Sequence, residues 1–532
     1  MVPLAQREIQ MLDCTDYELD VELMNNGKPL SKRTVSASML HKPTFLQDQW
    51  GFKDTGYVTE LQWKDMMEAF HHMLPSIDRK QVYGYTGWTP DKSAEFILGD
   101  RKITADDVVH IENCVLSNVP YASDVSPKDA AAFYVQQCLQ CLKTTVFAQT
   151  ITTFVLLSLL KSKLDAVGLY VGFAMLVSAL SNTGKTFCTS VLVNPWGAKA
   201  HSFEDTMAAI IQGLKNTRDL TCYIDDLCRP NDKKMIEKFE KVPRLIGDKT
   251  TAGNKIIGNK IYDETINSLP FMTGEGVPKK AQLSTYPRVC INEYEPDEVN
   301  FNHLSEMQAH LDVIVKFWVD VLRYVMTDSS NIFTDFQTEF RMRRQIYGKK
   351  IVNLGAHRRY GDMLAYLTIG WDLLKDYFKS VGVEAPANDF EADVTGIILK
   401  QHEAYGLKNA SQMFLTAFFE LERANALTVV KSDDAKHSDH FDVIDTGGGE
   451  LQIRYGAVYK KIVQYYMARG RSFDFTELQL RDDLAAKKLI VRKDKGKVRH
   501  CTEHKVAGHS VYTFTLYKNL AQNFLEGDDL SD

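Results

Sequence analysis

The run Leu169–Leu180, Leu-Tyr-Val-Gly-Phe-Ala-Met-Leu-Val-Ser-Ala-Leu, passes directly into Ser181-Asn182-Thr183-Gly184-Lys185-Thr186. A short apolar run reads as a strand buried on both faces, and the residues from Lys185 to about Val193 read as a helix. Strand, polar turn ending in Gly-Lys-Thr, then helix is the order a phosphate-binding loop requires. Successive backbone N–H groups wrap the phosphates, Lys185 reaches the β/γ oxygens, and Thr186 offers a hydroxyl to Mg²⁺. The helix N-terminus behind them adds a favourable dipole. Ser181, Asn182, Thr183, Gly184, Lys185 and Thr186 are therefore the candidate nucleotide-binding residues. The full pattern has glycine five residues before Gly184, where this chain has Ala179.

A chain of 532 residues leaves room for three or four domains. Its 44% apolar and 25% charged residues are those of a globular protein. A net charge of -6 excludes a nucleic-acid coat acting through overall positive charge, so any nucleic-acid site is a local patch. Nine cysteines without disulfide-like spacing suit a reducing cytosol. The opening Met-Val-Pro-Leu-Ala-Gln-Arg-Glu has no apolar signal core, and the expected location is cytoplasmic. Val146–Leu160 and Ala166–Leu180 are each about 15 residues long, short of the roughly 20 that a membrane span needs. A buried helix followed by a central strand accounts for both.

Residues 1–125 alternate short β-like pieces with loops and read as an N-terminal α+β module, with a small hairpin from Ala94–Leu98 and Lys102–Thr104. Pro127–Lys161 is helical in pattern. A strand–helix alternation follows, the mark of a mostly parallel sheet, and residues 126–330 read as one core. Its further strand candidates are His201–Phe203, Leu220–Ile224, Leu269–Met272 and Arg288–Asn292; Asp205–Asn216 reads as a helix capped by Asp205 or Thr206. Residues 301–430 read helical, with helices expected at Phe301–Val325, Phe333–Ile346, Arg359–Ser380 and Ser411–Ala426, and 331–430 is taken as a helical region of its own beyond the core. In 431–532, a hairpin turn at Thr446–Glu450 is followed by helices at Val458–Arg469 and Asp474–Lys487 and a β-pair of Leu489–Arg492 with Val511–Leu516. Helix, helix, hairpin is a winged-helix arrangement.

Leu220-Thr221-Cys222-Tyr223-Ile224-Asp225-Asp226 ends a strand in two acids. Asp225 would face the metal and Asp226 would polarise the attacking water. Asp225 follows Lys185 by 40 residues, enough for a helix, a strand and a helix between them. At the end of Leu269–Gly276, Thr273 is the candidate that senses the terminal phosphate, with Glu275 and Asn267 as alternatives. Arg288 precedes the next strand, where an arginine can reach a neighbouring subunit's nucleotide; Arg358 and Arg359 are weaker sensing candidates. Between these motifs Gly247–Lys260 is glycine-rich, with Lys249, Lys255 and Lys260 spaced to touch nucleic-acid phosphates. In the tail, Lys493-Asp494-Lys495-Gly496-Lys497 reads as a wing tip, with Lys493, Lys495 and Lys497 toward the DNA backbone. Cys138-Leu139-Gln140-Cys141 reads as buried thiols.

Taken in order, these residues resemble the AAA+ helicases of phages and mobile genetic islands, a group related to the MCM ring helicases. The resemblance spans roughly residues 75–330. It includes the Gly87-Trp88 region, Trp196-Gly197, Phe203-Glu204-Asp205-Thr206, Tyr223-Ile224-Asp225-Asp226-Leu227, Thr273-Gly274-Glu275 and Ser284 through Arg288, with a looser likeness in the tail. It implies an α/β, P-loop NTPase core of AAA+/ASCE type, and a ring, usually a homo-hexamer, that unwinds DNA with ATP and Mg²⁺ and meets other replication proteins. Lys185, Thr186, Asp225 and Asp226 would then act in cis and Arg288 in trans. Ala179 and Asp226 depart from the commonest pattern, which has glycine and glutamate there. Two other readings use the same motifs: an ATP-dependent origin-binding initiator or helicase loader, and an ATP-gated protein-interaction switch.

Overall fold

Ala174–Ser178 consists of five buried residues in a row, which suits a strand covered on both faces. In the computed structural model it is the second-last strand of a five-stranded sheet. We number these strands β1 (Ala174–Ser178), β2 (His201–Ser202), β3 (Thr221–Leu227), β4 (Leu269–Gly274) and β5 (Val289–Glu293). All pairings are parallel and the order across the sheet is β2-β3-β4-β1-β5. β4 thus lies between the two strands that carry the glycine-lysine and acidic motifs. The register places Ser178 opposite Gly274 and Glu293, and Ser202 opposite Asp225. The C-terminal ends of β1, β3 and β4 therefore lie side by side along one edge of the sheet, the place where open α/β sheets bind ligands.

The structure describes all residues except 13–14, 26, 91–93, 248–253, 258–259, 264–265, 280, 283, 354–355, 406–409, 433, 435–439, 470–472, 474, 492–493, 496–497, 500, 507–508 and 527–532. It forms two compact units, Met1–Gly406 and Leu407–Asp532.

In the first unit, the helix Thr145–Leu159 buries almost all of its residues. Its polar side chains are satisfied within the fold: the Thr150 and Thr153 hydroxyls donate to the carbonyls of Val146 and Gln149 at 2.6 and 2.8 Å, and the Gln149 amide donates to Asn388 at 2.8 Å. No helix among the described residues is long and apolar enough to cross a membrane. The expected helix Pro127–Lys161 is interrupted. Leu142 makes a bridge with Val299 and the Lys143 N–H donates to the Glu298 carbonyl, so tertiary pairing overrides helical pattern there. The expected helix Phe301–Val325 likewise breaks into Phe301–Ala309 and Leu311–Thr327 at His310.

The N-terminal residues form longer strands than their composition announces: Val2–Gln10, Thr15–Asn25 and Lys28–Ser36. They share a sheet with Asp78–Tyr83 and Glu112–Asn113 over a small core that includes Val21, Phe45, Trp63 and Phe70. A four-stranded sheet follows, with Phe96–Leu98 pairing with Arg101–Ile103 as a hairpin. Its Trp88, Phe96, Leu98 and Ile103 pack into the same core as the parallel sheet.

The second unit wraps helices Ala410–Arg423, Tyr455–Met467 and Glu477–Ala486 around its own core. Ala410–Arg423 closes the stretch read as a helical region, and here it packs within this unit. A capping box of Thr476 and Gln479 starts the third of these helices. Thr502–Val506 and His509–Tyr517 form an antiparallel pair after them, and Ile490 bridges Leu516. A small ladder of Asp494–Lys495 with Val498–Arg499 stands at the expected wing tip.

Candidate functional site

The loop after β1 is held by a bond to β4 and by one within itself. The Ala179 N–H donates to the Gly274 carbonyl at 3.0 Å, and the Thr183 hydroxyl donates to the Leu180 carbonyl at 3.0 Å. Asn182 and Gly184 have φ of 65° and 78°. Gly184 is required twice over, because a Cβ there would also lie 2.8 Å from the Phe301 ring. Ala179 is not among the positive-φ residues, so the backbone tolerates a methyl where the common pattern has glycine. The helix Lys185–Val193 begins directly after the loop, with Ser181 and Asn182 exposed and Lys185 and Thr186 half-buried.

Asp225 is where the strand ends converge. Its Oδ1 accepts from the Thr186 hydroxyl at 3.5 Å, from the Thr273 hydroxyl, and from the Asp226 N–H at 2.8 Å. The Tyr223 hydroxyl lies 3.2 Å from that of Thr189 and donates to the Thr186 carbonyl at 3.4 Å, pinning the first turn of the helix to β3. Burial, with Asp225 adding to it, pushes the Tyr223 phenol up to about 12, so it remains a neutral donor. Asp226 sits on a bulge of β3 between Ile224 and Leu227, has φ of 70°, and is exposed.

On the other side of the loop, the Ser181 hydroxyl donates to the Glu275 carboxylate, which extends from β4. Glu275, Glu293 and Tyr405 line a cavity of about 400 Å³ with Ala179 and Leu180. Thr273 and Glu275 thus both reach the site. Asn267 does not: it precedes β4, and its carbonyl accepts from the Asp219 N–H at the opposite end of the sheet.

Arg288 also stands at that opposite end, at the start of β5. It is only 9% exposed and its Nη1 donates to the Ser284 carbonyl at 2.6 Å. Arg358 and Arg359 are exposed. Lys249, Lys493 and Lys497 lie outside the described residues. Lys255 and Lys260 fall on the antiparallel hairpin Asn254–Ile257 with Lys260–Asp263, and Lys495 on the Asp494–Lys495 ladder. Cys138 and Cys141 are buried, as expected; the Cys141 sulfur is 3.5 Å from that of Cys188, and burial raises the Cys138 and Cys141 thiols. Among the described residues no group of three or more His, Cys, Asp or Glu side chains could hold a metal ion. Hard oxygen donors beside the loop are the Asp225 carboxylate, reached by Thr186, and the Glu275 carboxylate, reached by Ser181.

Sequence reasoning missed Asp219. Fully buried just before β3, its carboxylate accepts from the Ser162 N–H and hydroxyl at 2.7 and 2.8 Å and from the Trp88 N–H at 3.0 Å, with Arg218 at 3.4 Å. It ties two distant chain segments, at Trp88 and Ser162, to the base of β3. Burial pushes its carboxyl up, against the pull of Arg218 and the hydrogen bonds. The one sequence signal was Gly87 beside Trp88: a Cβ on Gly87 would lie 2.3 Å from Asp219 Oδ2.

A solved structure described as an active helicase, the SCCmec type IV Cch protein, superposes on 98% of this chain and 94% of its own, with a TM-score of 0.60 at 12% identity. In fold, the chain is similar to a helicase. An apo structure of the NrS-1 C-terminal region matches over 96% of each chain with a TM-score of 0.37 at 10% identity. A family model described as a domain of unknown function, DUF927, matches residues 25–239, less than half of the chain. No curated protein matches.

Proposed function

We propose that this chain is an ATP-dependent DNA helicase or translocase of a phage or mobile element, working as a ring in DNA replication. The observation that carries the reading is the convergence of the Ser181–Thr186 loop with Asp225 and Thr273 on adjacent ends of a parallel sheet. This convergence supports reading the core as a P-loop ATPase of AAA+/ASCE type, and the likeness in fold to a helicase is in keeping with it.

On this reading the loop amides and Lys185 bind the phosphates. Thr186 and Asp225 hold Mg²⁺, which suits hard oxygen donors and, when bound, neutralises charge on the phosphates. Thr273 orients Asp225 and senses the terminal phosphate, and Asp226 positions the attacking water. Arg288 would act in trans on a neighbouring copy's nucleotide, which requires that its buried guanidinium be released from the Ser284 carbonyl. Lys249, Lys255 and Lys260 contact single-stranded DNA, and the helix–helix–hairpin tail with Lys493, Lys495 and Lys497 acts as a winged helix on DNA.

Strand displacement on a forked duplex tests the reading. ATP-dependent displacement that Lys185→Ala abolishes is the expected result. ATP hydrolysis without displacement would favour the initiator or loader reading, and hydrolysis indifferent to DNA the protein-interaction switch.

A further inference from the structure

Two phenylalanines beside the loop stay out of the core. Phe187 is 65% exposed and Phe301 58%. Each stands close to Gly184. Phe187 is three residues beyond Gly184, so the two positions lie on the same face of the helix start. The Phe301 ring covers Gly184, with its Cε1 and Cζ 2.8 and 3.0 Å from where a Cβ would stand. Phe301 is also firmly placed. It opens the helix Phe301–Ala309, capped by the Asn300 side chain, and the Asn300 N–H donates to the Cys141 carbonyl at 2.8 Å. Val299 bridges Leu142, and the Glu298 carboxylate accepts from the Thr144 N–H at 2.6 Å.

The opposite flank of the loop is polar, with Thr186 and Thr273 bonded to Asp225. A triphosphate seated on the loop with its terminal group toward Asp225 leaves its nucleoside end on the flank of Phe187 and Phe301. We infer that these two rings form a stacking platform for the base of the bound nucleotide. Aromatic faces stack with any base, and exposed rings beside the loop are what such a platform requires. This rests on the nucleotide reading of the loop.

Calorimetric titration of the full chain with Mg·ATP and with Mg·tripolyphosphate, which has the phosphates and no base, tests it. The wild type should bind ATP more tightly than tripolyphosphate. Phe301→Ala should weaken ATP about tenfold and leave tripolyphosphate unmoved, while Phe301→Trp keeps ATP affinity. Phe187→Ala should repeat the selective loss, and it serves as the second variant should Phe301→Ala misfold. ATP and tripolyphosphate weakened together, or ATP unaffected by either alanine, would overturn the platform. Equal wild-type affinity for the two compounds would also overturn it while leaving the phosphate site standing. A wild type that binds neither compound overturns the nucleotide reading itself.

Discussion

Strand β3 carries an acid at each end, and the two are built oppositely. Asp219, at its base, is fully buried and held by two backbone N–H groups, of Ser162 and Trp88, together with the Ser162 hydroxyl and the Arg218 guanidinium. Asp225, at its tip, is half-buried and meets two threonine hydroxyls and one N–H. Hydroxyl donors can turn to serve an arriving ligand, whereas N–H groups of the folded backbone cannot. The contrast separates an acid that holds the scaffold from one available for chemistry, although sequence alone presents both as an Asp beside an apolar strand.

The largest effect should come from the base of the strand. Asp219→Ala strands three buried donors beside Arg218 and should cost about 3–5 kcal/mol of stability. A lowered urea midpoint measured by circular dichroism is the check, and an unchanged midpoint would erase the distinction. At the tip, Asp225→Asn should cut ATP turnover about a hundredfold, or near 3 kcal/mol of activation free energy, while leaving the urea midpoint close to the wild type. Gly87→Ala places a methyl against Asp219 and imposes a side chain on a backbone with φ of 91°. It should lower stability by about 1–3 kcal/mol, less than Asp219→Ala, and the two losses should not add in the double variant.

A smaller effect concerns pH. Burial, then the Arg359 and Arg288 guanidiniums and His402, hold the His357 imidazole below its ordinary value, against the pull of Asp362. The folded state therefore resists protonation that the unfolded chain accepts near pH 6.5. The stability linked to His357 is full above that pH and falls as the pH drops through it. Between pH 7.5 and 5.5 the urea midpoint of His357→Gln should fall less than that of the wild type; an equal fall would remove His357 from the account.

Much of the tip was legible before the structure, because strand ends and loops announce themselves locally. The all-apolar run into Gly-Lys-Thr, the acids after Ile224 and the polar residues after Met272 all mark chain positions that must leave a buried sheet. Asn267 was misleading because polar residues flank β4 at both ends, and only the pairing direction shows which end faces the loop. The bulge at Asp226 and the buried environment of Arg288 depend on contacts distant in sequence, so no local pattern carries them. Of the N-terminal strands, Lys28–Ser36 is mostly exposed and lacks the alternation that reveals a half-buried strand, whereas Thr15–Asn25 does carry it, with Leu19, Val21 and Leu23 buried. Asp219 was missed because its partners come from residues 88 and 162.

ATP turnover by the purified full chain, measured with and without forked DNA and beside Lys185→Ala, tests the central claim most directly. The account predicts Mg²⁺-dependent hydrolysis that forked DNA accelerates and Lys185→Ala abolishes. Turnover that survives Lys185→Ala at the wild-type rate would contradict it.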